Sequence, residues 1–118
     1  MVSMKPGISV EYSGKATIVT FTNEKILEQN DIQNLQDSII PIIEQANEIN
    51  LVLDFQNVQF LSSSVLGLLL RISKKVYERD GRLKLCSINR KIYEIFKITR
   101  LNKIFEIYDD LESALESL

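Results

Sequence analysis

Histidine and tryptophan are absent from this 118-residue sequence, and cysteine occurs once, as Cys86. Without histidine the chain lacks the commonest general base and the commonest metal ligand. A single cysteine can neither form an internal disulfide nor hold a metal ion by itself. Because Cys86 lies in the apolar run 83–86, we expect a buried, structural thiol. We therefore predict no metal site.

The common motifs of enzymes are missing as well. The sequence contains no Gly-x-Ser-x-Gly nucleophile motif and neither of the glycine-rich motifs that cradle nucleotide phosphates. Asp54 is a lone carboxylate at the end of a predicted strand, and we interpret it as a residue that orders the following loop. We predict that the protein is not an enzyme and that it uses no cofactor.

Long apolar runs and a strong excess of one charge are also lacking. No apolar stretch reaches 18 residues and the first residues lack a signal-peptide pattern, which predicts a cytoplasmic protein without membrane insertion. The net charge is −2 and acidic residues are interleaved with basic ones, which argues against direct binding of nucleic acid. The length and the ordinary composition favour a single domain over residues 1–118.

The first part of the sequence predicts a β-hairpin and a helix. Residues 8–12 alternate with period two, a Ser-Gly turn follows, and residues 16–21 are rich in β-branched side chains. Apolar residues with helical spacing begin at Ile32, with Asn30 or Asp31 available as the N-cap. We expect Pro41 to kink this helix or to end its regular part.

Strands and helices alternate in the remainder. The apolar residues of 49–55 predict a central strand that is covered on both faces. We predict a helix over 63–80 that stops at Gly81, a strand over 82–88, a helix over 90–98 and a last strand over 104–108. Asp109 is expected to cap a closing helix. This order predicts an α/β fold with a mixed, mostly parallel β-sheet flanked by helices.

The residues that could carry function are concentrated where the central strand runs into the next helix. Ser62, Ser63 and Ser64 follow one another at the predicted start of that helix. Unpaired backbone N–H groups and the helix dipole favour an anion at such a position. A simpler interpretation is that Ser62 caps the helix and that the first turn tolerates the other two serines.

Helical geometry gives this helix two apolar stripes. The inward stripe consists of Val65, Leu69, Ile72 and Val76. Ser63 projects about 140° away from that stripe. The residues that lie with it are Leu66, Gly67, Leu70 and Lys74. We interpret this outward stripe as a surface that binds a protein partner, and we expect Leu66 and Leu70 to be at least partly exposed. For Leu66, contact with a neighbouring helix is an equal alternative.

Residues 54–67 resemble the signature of STAS domains in bacterial anti-sigma factor antagonists, Asp-Leu-x-x-Val-x-Phe-(Ile/Met/Leu)-Asp-Ser-Ser-Gly-Leu-Gly. The resemblance continues through residues 81–85, 96–105 and 107–115, so it covers nearly the whole chain from Ile8 in the right order. The departures from the family pattern that bear on function are these. Ser62 replaces an aspartate, Val65 replaces a glycine, and Arg100 replaces a glycine.

This resemblance implies an anti-sigma factor antagonist that is controlled by phosphorylation. The unmodified protein would bind an ATP-dependent anti-sigma factor serine kinase and thereby free a sigma factor. The kinase would phosphorylate a serine, the complex would separate, and a metal-dependent serine phosphatase would reset the protein. The family's phosphorylated serine corresponds to Ser63, with Ser62 or Ser64 as alternatives. The resemblance together with the outward stripe places partner binding on Ser62, Ser63, Ser64, Leu66, Gly67, Leu70 and Lys74.

A STAS domain that is not phosphorylated is the alternative function. Such a protein would be a regulatory or assembly subunit, as in stressosome-like or lipid-transport complexes. The replacement of the family's aspartate by Ser62 favours this alternative.

Overall fold

A six-stranded sheet forms the centre of the computed structural model, which describes residues 2–118. The second strand in space is antiparallel to both of its neighbours, the first and the third. From the third strand onward, neighbouring strands are parallel. The strands, in spatial order, are β1 (Val2–Lys5), β2 (Ile8–Ser13), β3 (Ala16–Phe21), β5 (Asn50–Asp54), β7 (Arg82–Cys86) and β8 (Glu106–Tyr108). Two short strands, β4 (Lys25–Ile26) and β6 (Phe60–Leu61), form a separate parallel pair.

Helices cover both faces of the sheet. They are α1 (Gln29–Glu44), α2 (Ser63–Glu78), α3 (Arg90–Ile98) and α4 (Leu111–Glu116). Buried residues of α1, α2 and α3 share one large apolar cluster, whereas Ala114 of α4 belongs to a second cluster on the opposite face. The predicted α/β fold with a mixed, mostly parallel sheet is confirmed.

Strand β5 shows why the sheet needs two apolar layers. Leu51 and Leu53 lie in the cluster beneath α1–α3, and Val52 between them lies in the cluster beneath α4. Successive side chains of a strand point to opposite faces, so a continuous apolar run is buried only if both faces are covered. The short amphipathic α4 provides the second cover.

Helix α1 begins earlier than its sequence pattern predicts, and Pro41 does not end it. Its N-cap is Glu28, whose N–H donates to the Asp31 carboxylate at 3.3 Å, so Asn30 and Asp31 already lie within the helix. The prediction of either residue as the N-cap is wrong. The helix also continues through Pro41 to Glu44. The proline therefore does not end the helix, because the turns on both sides are held by buried isoleucines.

The end of α2 depends on two adjacent residues. Asp80, not Gly81, adopts the left-handed conformation, with a φ of 58°, and the Gly81 N–H donates to the Val76 carbonyl at 2.9 Å. A Cβ atom at Gly81 would lie 2.6 Å from the Ile49 carbonyl oxygen. Gly81 is thus required for a close approach of backbone rather than as the left-handed stop that the sequence predicts.

Three boundaries in the last third also differ from prediction. Strand β7 stops at Cys86, and β8 begins at Glu106 after a 3-10 turn at Leu101–Lys103. The cap of α4 is Asp110 rather than Asp109, and its carboxylate accepts the Ser113 N–H at 2.8 Å. This hydrogen bond lowers the pKa of Asp110. Arg100, where the family has glycine, has a φ of 62°, a conformation that glycine adopts more easily.

Candidate functional site

The loop between β5 and β6 is held in place by side chains at its start. Asp54 is only 1% exposed, and its carboxylate accepts the Gln56 N–H at 3.0 Å and the Gln56 side-chain amide at 3.3 Å. The Asn57 amide donates to the Phe21 carbonyl at 3.0 Å, which ties the loop to β3. The interpretation of Asp54 as a loop-ordering residue is confirmed.

The pairing of β4 with β6 fixes the point at which α2 begins. Lys25 lies opposite Phe60 and Ile26 lies opposite Leu61. The pairing continues into the serine segment, since the Ser62 N–H donates to the Ile26 carbonyl at 3.0 Å. The serines therefore follow a hydrogen-bonded strand rather than a loose loop.

The three serines differ in their surroundings. Ser63 and Ser64 are exposed in the first turn of α2, whereas Ser62 occupies the N-cap position. The Ser62 hydroxyl is buried and has no hydrogen-bond partner within residues 2–118, and the Val65 N–H donates to the Ser62 carbonyl at 3.0 Å instead. The interpretation that the Ser62 side chain caps the helix is wrong, although the residue stands in the capping position.

This difference predicts an unusual result for Ser62→Ala. Loss of a capping serine usually costs about 1 kcal/mol, but here no hydrogen bond is lost and a buried unpaired hydroxyl is removed. We expect the free energy of unfolding to change by less than about 0.5 kcal/mol. A loss above that, measured by urea unfolding at constant slope, would show that the hydroxyl does cap the helix.

Asn89→Ala is the matched control. The Asn89 side chain accepts the Ile92 N–H at 2.8 Å at the start of α3 and donates to the Val58 and Gln59 carbonyls at 3.3 and 3.2 Å. Its loss removes a true cap and leaves two carbonyls unpaired, so we expect a cost of about 2 kcal/mol.

The outward stripe of α2 is exposed at four of its predicted positions. Ser63 and Lys74 are exposed, Leu70 is 40% exposed, and Gly67 is partly exposed. We call these four residues the docking face. The expectation of an exposed Leu70 is confirmed.

The expected exposure of Leu66 is wrong. Its side chain is 6% exposed and belongs to the large apolar cluster on the α1–α3 side of the sheet. Arg71, which donates to Gln36 of α1 at 3.1 Å, lies about 140° around α2 from Leu66. The docking face is the narrow strip of α2 between the buried Leu66 and Arg71, which bonds to α1.

Cys86 is confirmed as a buried residue of the apolar layer beneath α4. Burial, together with the nearby Asp54 carboxylate, raises the pKa of its thiol to about 12. The thiol is thus protonated at neutral pH, the form that neither attacks electrophiles nor binds metal ions. Within residues 2–118, no three metal-binding side chains gather into a cluster.

No helix among the described residues has the length and apolar character needed to cross a bilayer.

Known proteins resemble this chain in sequence and in fold. An anti-sigma F factor antagonist of Paenibacillus polymyxa is 28% identical over 111 residues, which cover 94% of this chain and 93% of that one. An anti-sigma-factor antagonist (STAS) domain protein of Planctomyces limnophilus has the same fold, with a TM-score of 0.86, 21% identity and coverage of 93% of this chain and 96% of that one.

The Bacillus protein SpoIIAA, an anti-sigma factor antagonist whose structure is known unphosphorylated and phosphorylated, also has this fold. The TM-scores are 0.77 and 0.70 at 16% identity, with coverage of 93% of this chain and of 94% and 97% of those chains. The STAS domain family itself matches residues 8–114, which include the complete sheet from β2 onward and the serine segment. The chain belongs to the STAS domain family.

Proposed function

We propose that this protein is an anti-sigma factor antagonist that binds an anti-sigma factor serine kinase through the docking face of α2. The observation that carries the proposal is the position of an exposed serine, Ser63, at the head of an outward strip that contains an exposed leucine and a glycine. Isolated exposed leucines are common on protein surfaces, but a leucine beside a helical glycine suits close contact with another backbone. Binding to the kinase would free a sigma factor in the cytoplasm.

Ser63 is proposed as the residue that the kinase phosphorylates. The hydroxyl is exposed and lies in the first turn of a 16-residue helix, where free N–H groups and the dipole stabilise an added anion. The same phosphate would lie within the docking face and weaken binding there. A metal-dependent phosphatase would return the protein to its binding form.

Two features of relatives support this proposal. The anti-sigma F factor antagonist of Paenibacillus polymyxa matches 94% of the chain, and SpoIIAA, with the same fold, is known with and without phosphate. The departure at Ser62 does not remove the acceptor, since Ser63 stays exposed on a helix whose start is fixed by β4 and β6.

The test is calorimetric titration of the protein with each purified anti-sigma factor from its source cells, with ADP and with ATP. We expect one of them to bind in ADP and to release its sigma factor. In ATP the complex should decay as phosphate is incorporated. Absence of binding to every anti-sigma factor tested would contradict the proposal.

A non-phosphorylated regulatory or assembly subunit is the second candidate. It is favoured by the serine at position 62, where the family has aspartate, and by the unpaired state of that serine's hydroxyl. Intact-mass measurement of protein from its own cells, with and without phosphatase treatment, separates the two candidates. A mass about 80 Da above the unmodified chain that phosphatase removes would be the phosphoryl group expected of the switch.

A further inference from the structure

An apolar groove of about 310 Å³ lies beside the start of α2, between the β4–β6 pair and α3. Phe60 in β6 and Leu27, directly after β4, line this groove and are 40% and 49% exposed. Together they give the groove a large exposed apolar surface. The residues that form its floor and walls include Lys25, Leu27, Phe60, Lys91, Ile92 and Ile95. We call it the Phe60 groove.

Two lysines frame this groove. The Lys91 ammonium lies 4.8 Å from the centre of the Phe60 ring, and the Lys25 ammonium lies 5.7 Å from it. Neither lysine takes part in an ion pair within residues 2–118. Their contacts with the ring hold the ammonium groups at the rim, where they can still pair with an anion.

Acidic side chains stay outside the Phe60 groove. Glu24 and Glu28 flank β4 in sequence, and Glu94 of α3 pairs with Lys97 at 3.6 Å. None of the three lines the groove. The groove therefore combines an apolar floor with a positively charged rim, in a protein whose net charge is −2.

The walls of the groove are fixed before any partner arrives. Asn89 holds the carbonyls of Val58 and Gln59 while it caps α3, so it joins the segment before β6 to the start of the helix. The Gln59 N–H donates to the Glu24 carbonyl at 2.8 Å, which closes the β4 side. A preformed groove loses little entropy when it binds a ligand.

We infer that the Phe60 groove binds an apolar side chain from an acidic segment of the partner protein, next to the docking face. This inference rests on the proposed function, since the partner is then the anti-sigma factor. Charge complementarity selects the occupant: an apolar anchor flanked by carboxylates satisfies both the floor and the two lysines. Phe60 and Leu61 lead directly into Ser62 and Ser63, so the groove lies at the end of α2 that carries the proposed phosphorylation site.

The groove also provides a mechanism by which a phosphate on Ser63 would weaken binding of the partner. Lys25 and Lys91 lie over the Phe60 ring, and Ser63 follows Phe60 by three residues, so an acidic partner segment held by the two lysines would come close to Ser63. A phosphate on Ser63 would repel that segment and compete with it for the lysines. Release would then depend on salt concentration, because the opposing charges lie near the surface.

Binding to the anti-sigma factor tests the groove directly. We expect Phe60→Ala to weaken binding by about tenfold or more, as for a central aromatic anchor. The double variant Lys25→Ala/Lys91→Ala should also bind more weakly, with a reduced dependence on salt. Tyr12→Ala, which removes an exposed aromatic residue of β2, and Lys5→Ala/Lys15→Ala are the matched controls and should bind like the wild type. Unfolding curves confirm that each variant is folded.

A short peptide provides a test without the partner. We expect the acetylated peptide Glu-Glu-Leu-Phe-Glu-Glu to shift the amide signals of the groove residues saturably in a ¹⁵N–¹H NMR titration. The charge-reversed peptide Lys-Lys-Leu-Phe-Lys-Lys should not. Equal shifts with both peptides, or none with either, would overturn the inference.

The outcomes separate the groove from the proposed function. If the wild type binds the anti-sigma factor and Phe60→Ala binds within about twofold of it, the groove inference is wrong and the proposed function stands. If no anti-sigma factor binds, the proposed function is wrong, and the peptide titration alone decides whether the groove recognises acidic, apolar segments.

Discussion

Ser63→Asp is expected to bind the anti-sigma factor at least about tenfold more weakly than the wild type, with no loss of stability. The loss arises at the interface, where an anion would have to be stripped of water against the glycine and leucine of the docking face. The fold itself tolerates the charge, because it stands in the first turn of α2. Calorimetric titration measures the affinity, and urea unfolding measures the stability.

Ser64→Asp is the matched control for this charge. Ser64 is exposed in the same turn, but it lies about 100° further around the helix, towards the side that packs on α1. An aspartate at position 64 is stabilised by the helix dipole as one at position 63 is, but it lies farther from the docking face. Equal loss of affinity in both variants would show that the partner responds to general charge rather than to position 63.

Ser63→Ala should bind the kinase as the wild type does but should resist phosphorylation. Removing one exposed hydroxyl leaves the apolar part of the docking face unchanged. Incubation with the kinase and ATP, followed by mass-spectrometric mapping, locates the phosphate. Incorporation at Ser62 or Ser64 in the wild type would contradict the assignment, and the buried position of the Ser62 hydroxyl makes Ser62 the harder of the two to reach.

Elements with strong local signals could be predicted from the sequence. The alternation in β2 and the β-branched residues of β3 predict the hairpin, and the continuous apolar run predicts β5. The predicted range of α3, 90–98, is confirmed, because an asparagine that does cap the helix stands directly before it. Where local propensity and tertiary packing agree, the pattern is sufficient.

Other features depend on neighbours that no local pattern reveals. Strand β1 is exposed along its whole length and lacks a buried side to produce alternation. Leu66 lies only about 60° around α2 from the exposed Ser63, yet it is buried in the large apolar cluster. The unpaired Ser62 hydroxyl and the Phe60 groove both result from the β4–β6 pair, which joins segments about 35 residues apart.

The candidate functional site, like the fold, could be predicted only where its residues lie on one element. Ser63, Gly67, Leu70 and Lys74 could be placed on one face from the helical period alone. Lys25 and Lys91 could not be joined to that face, since they come from β4 and α3 and meet only over the Phe60 ring. The aromatic residue itself was visible in the family signature, but its exposure was not.

Gly67→Ala is expected to stabilise the isolated protein and to weaken its complex. A Cβ atom at position 67 would come no closer than 3.7 Å to any other group, a flexible Arg71 guanidinium nitrogen, so the fold has room for it. Replacing a mid-helix glycine by alanine should then raise the free energy of unfolding by about 0.5–1 kcal/mol. Gly67 therefore lowers the stability of the isolated protein, although no close contact within the fold requires a glycine at this position.

A partner that packs directly against the backbone at Gly67 would explain why a destabilising glycine occupies this position. Affinity should then fall stepwise with the size of the side chain, from glycine to alanine to glutamine, while stability does not fall below that of the wild type. Leu70→Glu should abolish binding in the same assay, because it places a charge where the exposed leucine would be buried. Tyr12→Ala, which removes an exposed aromatic residue of β2 outside the docking face, should leave binding unchanged. Affinity that is insensitive to the size of residue 67 would place the contact surface elsewhere on the protein.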